Sequence, residues 1–117
     1  MDALFGAGLS RPLDGLTLDV AEAIQEQTLP CVAVDVPSGI DGNTGEVLGA
    51  AANSVLTVTF FRKKPAHLLL PGRQFCGETI VSDIGIPRET MEIISPVTFE
   101  NTPQIWLDNL PFPKANS

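Results

Sequence analysis

The chain has 117 residues, enough for one domain or a fragment of one, but not for two independent catalytic units. Its content of 44% hydrophobic and 18% charged residues is typical of a folded globular protein and argues against a disordered or fibrous chain. Seven lysines and arginines against fourteen aspartates and glutamates give a net charge of −7, which disfavours binding to a nucleic-acid backbone.

Targeting and redox signals are also informative. No run of about 18 apolar residues is present to span a membrane, and Met1 is followed at once by Asp2, without the basic and apolar regions of a secretory leader. Cys31 and Cys76 have no second cysteine or histidine beside them at metal-ligand spacing. We therefore expect buried free thiols in a cytoplasmic protein with no membrane or nucleic-acid partner.

The N-terminal part predicts the end of a strand, a loop and a helix. Residues 1–2 read as the last residues of a strand. Residues 6–12 form the loop, because two glycines within three residues favour unusual backbone angles and Pro12 disfavours helix before it. A helix is predicted over 17–27, where apolar residues fall on one face.

Three strands are predicted after the helix, over 31–36, 54–61 and 78–84. The first is nearly all apolar, which is typical of a parallel strand that is buried on both faces. Between the last two strands, residues 67–70 are read as a short helical or irregular piece. Strands separated by crossover segments indicate an α/β fold with a parallel sheet.

Beyond residue 87 the periodic pattern fades into a proline-punctuated polar stretch. We read 101–117 as a linker or tail, in which Trp106 and Leu107 are the only strong apolar anchors.

Asp35 is the best candidate for a catalytic group, because it is the one charged residue in an apolar strand and lies near its carboxyl end. A carboxylate that merely braces the following turn is the alternative. Ser38 offers oxygen atoms suited to a hard cation, although Pro-Ser-Gly is also common turn chemistry. Asp2 adds a carboxylate at the same sheet edge. His67, the sole histidine, has no evident acid partner, so serine-hydrolase chemistry is disfavoured.

Two further segments have both a binding and a plain structural interpretation. The backbone of the 6–12 loop can approach a phosphate, or the loop is simply a tight turn. The basic cluster at 62–64 can hold a substrate phosphate, or it is a solvated strand end, which is the safer interpretation.

Four segments carry a resemblance to a known family when they are taken together and in order. They are DALFGAGLSRP at 2–12, VDVPSGIDG at 34–42, TVTFF with Lys64-Pro65 at 57–65, and VSDIGIP at 81–87. This set resembles the NAD(P)H-hydrate epimerase family, whose domain is often fused to an ADP- or ATP-dependent dehydratase. The resemblance implies a Rossmann-like three-layer α/β/α sandwich, usually dimeric. It also implies interconversion of the R and S forms of NADH or NADPH hydrated at C6 of the nicotinamide ring.

The resemblance also implies roles for individual residues. Asp2 and Ser38 are expected to ligate potassium, and Asp35 to contact the dinucleotide close to the reacting ring. From the chemistry of the reaction we add the hypothesis that Asp35 is the acid and base, with a raised affinity for a proton. The residues expected to line the hydrated dinucleotide are Gly6, Ala7, Gly8, Leu9, Ser10, Arg11, Pro12 and Asp35.

The resemblance also predicts how the chain is divided into domains. Residues 1–95 correspond to the C-terminal part of the epimerase domain, so that this is a partial domain without its N-terminal half. Residues 96–117 correspond to the linker towards a dehydratase domain. A nucleotide-binding module without catalysis and a structural remnant that binds nothing are the two alternatives to an epimerase.

Overall fold

The computed structural model describes residues 1–111 of the chain. Within that range the helices are Gly15–Glu26 (α1), Gly72–Cys76 (α2), Thr90–Ile94 (α3) and Pro103–Trp106 (α4). There are also 3-10 turns at Pro65–His67 and Leu107–Asn109. The strands are Cys31–Val34 (β1), Ser54–Phe60 (β2) and Glu78–Ser82 (β3). None of these described helices is long and apolar enough to cross a bilayer.

The strands form one parallel sheet in the order β1-β2-β3. Asp2 adds a parallel bridge to Ala33 on the free side of β1, so the N-terminal residues lie alongside the sheet. The connection from β1 to β2 is made of turns, and the connection from β2 to β3 carries a 3-10 turn and α2. A parallel three-stranded sheet combined with helices confirms the predicted α/β, Rossmann-like fold class. Because the strands are parallel, the segments that follow Asp2, β1 and β2 all leave from one edge of the sheet.

Helix α1 begins two residues before the predicted start. Asp14 is extended and precedes the first turn, and the hydroxyl of Thr17 donates to its carbonyl oxygen. Ala21 is the buried residue of the helix and packs with Leu9 and Leu13 in a small core cluster.

Strand β1 is shorter and less buried than predicted. It ends at Val34, because Asp35 takes a left-handed conformation with φ of 70°. Cys31 and Ala33 are buried but Val32 and Val34 are only half-buried, so the prediction of burial on both faces is wrong for the described residues.

Strand β2 carries the polar contacts of the sheet interior. Thr57 and Thr59 are fully buried, and the Thr57 hydroxyl donates to the carbonyl oxygen of Cys76 at 2.6 Å, which ties α2 to the sheet. Both cysteines are free and buried, as predicted. The strand ends at Phe60, because Phe61 turns the chain with φ of 62°.

The C-terminal part is more helical than the sequence indicates. Strand β3 ends at Ser82 rather than residue 84, and α3 was not predicted. Within the predicted tail, α4 and a 3-10 turn form, but Trp106 is 40% and Leu107 54% exposed, so neither is a buried anchor. Positions 112–117 lie outside the described residues, and the division at residue 95 stays a prediction.

The turn after β1 is packed too tightly for any residue but glycine at position 39. Val36 and Ile40, on either side of this turn, are fully buried with Ala51 and Ala66. Gly39 has φ of 95°, and a Cβ placed there would overlap the carbonyl oxygen of Ala50. The close approach fixes the path of the chain directly after Ser38.

We expect Gly39→Ala to lower the free energy of unfolding by more than about 2 kcal/mol, because it combines backbone strain with an overlap against backbone. Gly8→Ala is the matched control, since nothing lies within 4 Å of a Cβ there, and it should change stability by less than about 1 kcal/mol. Urea unfolding of both variants measures the difference. Equal stabilities would contradict the packing described here.

Candidate functional site

Asp35 lies at the carboxyl end of β1 in a backbone conformation that is rare for a residue with a side chain. Its N–H donates to the carbonyl oxygen of Val58 at 2.7 Å, and its own carbonyl oxygen lies 2.8 Å from Nε2 of His67. These contacts hold the strained residue from both sides of its peptide backbone and direct its side chain away from the strand.

The Asp35 carboxylate accepts hydrogen bonds on both oxygens. Oδ1 is 2.7 Å from the Lys64 ammonium and 2.9 Å from the hydroxyl of Thr59. Oδ2 accepts the N–H of Ala7 at 3.0 Å. The Asp35 and Lys64 side chains are 21% and 26% exposed, so the ion pair is partly buried and still open to a ligand.

Two opposing effects set the pKa of Asp35. Burial raises the pKa, but the hydrogen bonds from Lys64, Ala7 and Thr59 and the charge of Lys64 together lower it below its ordinary value of 3.8. The expectation of a raised proton affinity is therefore wrong. At neutral pH Asp35 is an ionised carboxylate, suited to accept a proton or to stabilise a positive charge.

His67 joins the backbones of the two charged residues. The Lys64 N–H donates to Nδ1 of His67 at 2.8 Å, so the imidazole proton is on Nε2, where it donates to the carbonyl oxygen of Asp35. His67 is 4% exposed. Its partners are thus backbone atoms rather than an acid side chain, and it fixes the separation of Asp35 and Lys64.

A second carboxylate lies nearby in a different environment. Asp2 is 5% exposed and accepts from the Ser38 N–H at 2.7 Å and from the Ser38 hydroxyl at 2.6 Å. The Ser38 hydroxyl oxygen also accepts the N–H of Phe5 at 2.9 Å and lies 3.3 Å from its carbonyl oxygen. Within residues 1–111 no cationic side chain lies within ion-pairing distance of Asp2.

The Asp2–Ser38 cluster fits a hard cation by its donor set. The carboxylate, the hydroxyl and the Phe5 carbonyl are all oxygen ligands, which hard cations prefer. A buried carboxylate with no ion-pair partner also favours a counter-ion. Across the described chain, no three histidine, cysteine, aspartate or glutamate side chains come together in a cluster.

The 6–12 loop lies against Asp35 through its first residues. Gly6 approaches this carboxylate closely, since a Cβ at this position would lie 3.0 Å from Oδ2 of Asp35. The Ala7 N–H is occupied by that oxygen, and the Leu9 N–H donates to the Gly6 carbonyl. The Leu9 side chain is buried in the core, so only its backbone can face a ligand.

The rest of this loop is exposed. Gly8, Ser10, Arg11 and Pro12 are all open to solvent. The backbone N–H groups of Gly8, Ser10 and Arg11 donate to no acceptor within residues 1–111. These three amides are therefore available to an anionic ligand.

The basic cluster at 62–64 is mostly engaged by protein groups. Lys63 pairs with Glu100 at 3.2 Å, and the Arg62 guanidinium lies 4.4 Å from the centre of the Phe61 ring. Next to the cluster is a cavity of about 470 Å³, whose wall includes Lys64, Phe61 and Phe99. Of the three basic residues, Lys64 alone contacts the Asp35 carboxylate.

Sequence reasoning missed the roles of Thr59, Lys64 and His67. Thr57 and Thr59 alternate with apolar residues in β2, and this alternation predicts that both threonine side chains lie on the same face of the sheet. The left-handed conformation of Asp35 and the bridging contacts of His67 depend on tertiary packing, so no local sequence pattern predicts them.

The comparisons with known proteins agree on one family. The model of the YjeF-related protein N-terminus matches residues 1–66. The bifunctional NAD(P)H-hydrate repair enzyme Nnr of Thermofilum pendens is 47% identical over 92 residues, which is 79% of this chain and 18% of that protein. The NAD(P)H-hydrate epimerase of Limosilactobacillus fermentum is 42% identical over 83 residues, 71% of this chain and 40% of that protein.

This chain therefore spans less than half the length of these relatives. A further bifunctional repair enzyme Nnr, from Mycobacterium tuberculosis, is 42% identical over 86 residues, 74% of this chain and 17% of that protein.

The bridging role of His67 predicts a pH dependence of stability. Burial lowers the pKa of His67 below its ordinary value of 6.5; the hydrogen bond to the Asp35 carbonyl and the charge of Asp35 raise it, and the charges of Lys64 and Lys63 lower it. Below pH 6.5 the unfolded chain takes up a proton that the folded chain does not. We therefore expect the melting temperature to fall as the pH decreases from 7 to 5.

The variant His67→Gln keeps a neutral side chain with a donor and an acceptor and should show a shallower pH dependence over the same range. Melting temperatures of both proteins at matched ionic strength provide the check. Identical slopes would show that His67 does not contribute to the acid sensitivity.

Proposed function

The chain belongs to the family of YjeF-related protein N-termini, and from this premise we propose that it forms part of the active site of an NAD(P)H-hydrate epimerase. The observation that carries the proposal is the ionised Asp35 carboxylate, held at the sheet edge beside a loop with free backbone amides. The substrate is NADH or NADPH hydrated at C6, and the reaction interconverts its R and S forms. The nucleotide is a substrate here and transfers no hydride.

The chemistry suits a fixed carboxylate. The C6 hydroxyl of the hydrate is next to the ring nitrogen. When an acid protonates this hydroxyl, the nitrogen lone pair expels it as water and leaves a cationic iminium. Water then adds to either face of C6, and a base removes its extra proton. An ionised Asp35 stabilises the cation and accepts that proton.

Exposed amides in the 6–12 loop support binding of the dinucleotide. The free N–H groups of Gly8, Ser10 and Arg11 can donate to pyrophosphate oxygens, and Gly6 lets the loop backbone approach Asp35. We also propose that Ala7, Leu9, Pro12 and Asp35 contact the nucleotide.

Potassium completes the proposed site. Asp2 and Ser38 would hold the ion, whose charge offsets the buried Asp2 carboxylate and whose coordination ties the start of the loop to the turn after β1. A homodimer, a fused dehydratase domain and a cytoplasmic location remain predictions of the family resemblance.

We expect Asp35→Asn to reduce the rate of R/S interconversion by about 10²- to 10⁴-fold, because the amide cannot accept the proton from water. Binding of NADPH should stay measurable, since the amides of the loop are retained. The assay follows the epimer ratio by chromatography and NADPH binding by fluorescence, with the gene product that carries this chain.

Asp83→Asn is the matched control. Asp83 follows β3 as Asp35 follows β1, but it is exposed and accepts only the nearby N–H of Gly85. It should leave the rate unchanged. Full turnover by Asp35→Asn would overturn the role of Asp35. A wild-type protein that binds NADPH without interconverting the epimers is a binding module, and one that binds neither nucleotide nor potassium is a structural remnant.

The potassium proposal predicts ion-specific stabilisation. The melting temperature should be higher in potassium chloride than in tetramethylammonium chloride of equal ionic strength, because an ion bound only by the folded state stabilises it. Ser38→Ala should lose this difference, whereas Asp14→Asn, at an exposed acid with no side-chain capping bond, should keep it. No difference between the two salts for the wild type would contradict a potassium site.

A further inference from the structure

Lys64 is placed as more than a counter-ion for Asp35. Its ammonium donates three hydrogen bonds: to Oδ1 of Asp35 at 2.7 Å, to the Thr59 hydroxyl at 2.9 Å and to the Phe60 carbonyl at 3.2 Å. All three protons are thus directed by the protein. The bond to Phe60 is the longest and is the one most easily exchanged for a ligand oxygen.

The two oxygens of Asp35 are unequally occupied. Oδ1 accepts from both Lys64 and Thr59, while Oδ2 accepts one hydrogen bond, from the Ala7 N–H. Oδ2 therefore has capacity for a water molecule on the side of the 6–12 loop. The amine and the free carboxylate position are neighbours, and the wall of the 470 Å³ cavity includes Lys64.

Lys64 is also rigidly held for a lysine. His67 accepts the Lys64 N–H and donates to the Asp35 carbonyl, so the backbones of both residues are fixed to one imidazole ring. A flexible surface lysine that merely neutralised Asp35 would need none of these contacts.

We propose that Lys64 is the proton donor of the epimerisation and that Asp35 is the acceptor. The inference rests on the proposed epimerase function and deepens it by giving the acid and the base to two different side chains.

The step balances in protons and electrons. The Lys64 ammonium gives a proton to the C6 hydroxyl, the C–O bond breaks with both electrons on oxygen, and the nitrogen lone pair forms the iminium. A water molecule then bonds to C6, and Asp35 takes its extra proton. The Asp35 carboxyl returns that proton to the neutral Lys64 amine across the 2.7 Å contact, so one water leaves, one enters and both residues are restored.

Lys64→Arg tests the proposal against a purely electrostatic role. Arginine keeps the positive charge beside Asp35 but cannot give up a proton at ordinary pH. If Lys64 donates the proton, arginine cannot replace it, and Lys64→Arg should reduce the interconversion rate by about 10²-fold or more. Its binding of NADPH should be retained. A Lys64→Arg rate within a few-fold of the wild type would overturn the proposal.

A second variant tests whether the pH–rate profile follows the pKa of the amine at position 64, which a residue that only positions Asp35 would not cause. Lys64→Cys, alkylated with bromoethylamine, places an amine of lower pKa at the same length, while Cys31 and Cys76 are buried and protected from the reagent. The treated variant should recover activity, with the alkaline limb of its pH–rate profile moved to lower pH. Recovery with an unmoved profile, or no recovery in a folded protein, would overturn the proposal.

Lys63→Cys, treated identically, is the control, because Lys63 pairs with Glu100 and makes no contact with Asp35. It should match the wild type in rate and in pH profile. If the wild-type gene product itself does not interconvert the epimers, the proposed function fails and this inference with it. If the wild type is active and the Lys64 variants are unaffected, only the inference fails.

Discussion

The strained backbone of Asp35 is the constraint on which the rest of the site depends. Its left-handed conformation ends β1 and turns the carboxylate towards the loop that follows Asp2. Such a conformation costs about 1–3 kcal/mol and persists only when the surroundings over-determine it. The Asp35 backbone is held in this conformation by its hydrogen bonds with the Val58 carbonyl and the His67 imidazole and by the buried turn that follows the strand.

The two carboxylates at this edge differ because their surroundings differ. Asp35 is partly exposed, paired with Lys64 and kept ionised. Asp2 is nearly inaccessible and bonded to Ser38, with no cationic side chain beside it in the described chain. Two carboxylates that differ in this way in exposure and in hydrogen-bond partners are suited to different roles. In the proposed site, Asp35 is the group that reacts with the ligand and Asp2 is the group that holds the potassium ion.

Sequence patterns predicted the fold class and the edge at which the polar groups meet. An apolar strand with one acid at its end, followed by Pro-Ser-Gly, was enough to single out Asp35 and Ser38, and the parallel sheet brings Asp2 to the same place. The ionisation of Asp35 was predicted in the wrong direction. Its pKa depends on Lys64, which is 29 residues away in sequence, and on a backbone amide from another loop.

Pairing over such distances is a property of the folded sheet, and residue types alone do not encode it. The basic cluster at 62–64 shows the same limit, since three adjacent cations have three different partners in the structure. The structure therefore gives Lys64 a specific contact with Asp35, where the sequence indicated either a phosphate-binding cluster or a solvated strand end.

We propose that Asp35 is an ionised base that faces the hydrated nicotinamide. A ¹³C NMR titration of aspartate-labelled gene product, with the Asp35 signal assigned through Asp35→Asn, tests it most directly. We predict that the Asp35 carboxyl titrates below its ordinary value of 3.8 and that its resonance moves when hydrated NADPH is added at neutral pH. A titration above 3.8, or a resonance that does not respond to saturating ligand, would contradict the account.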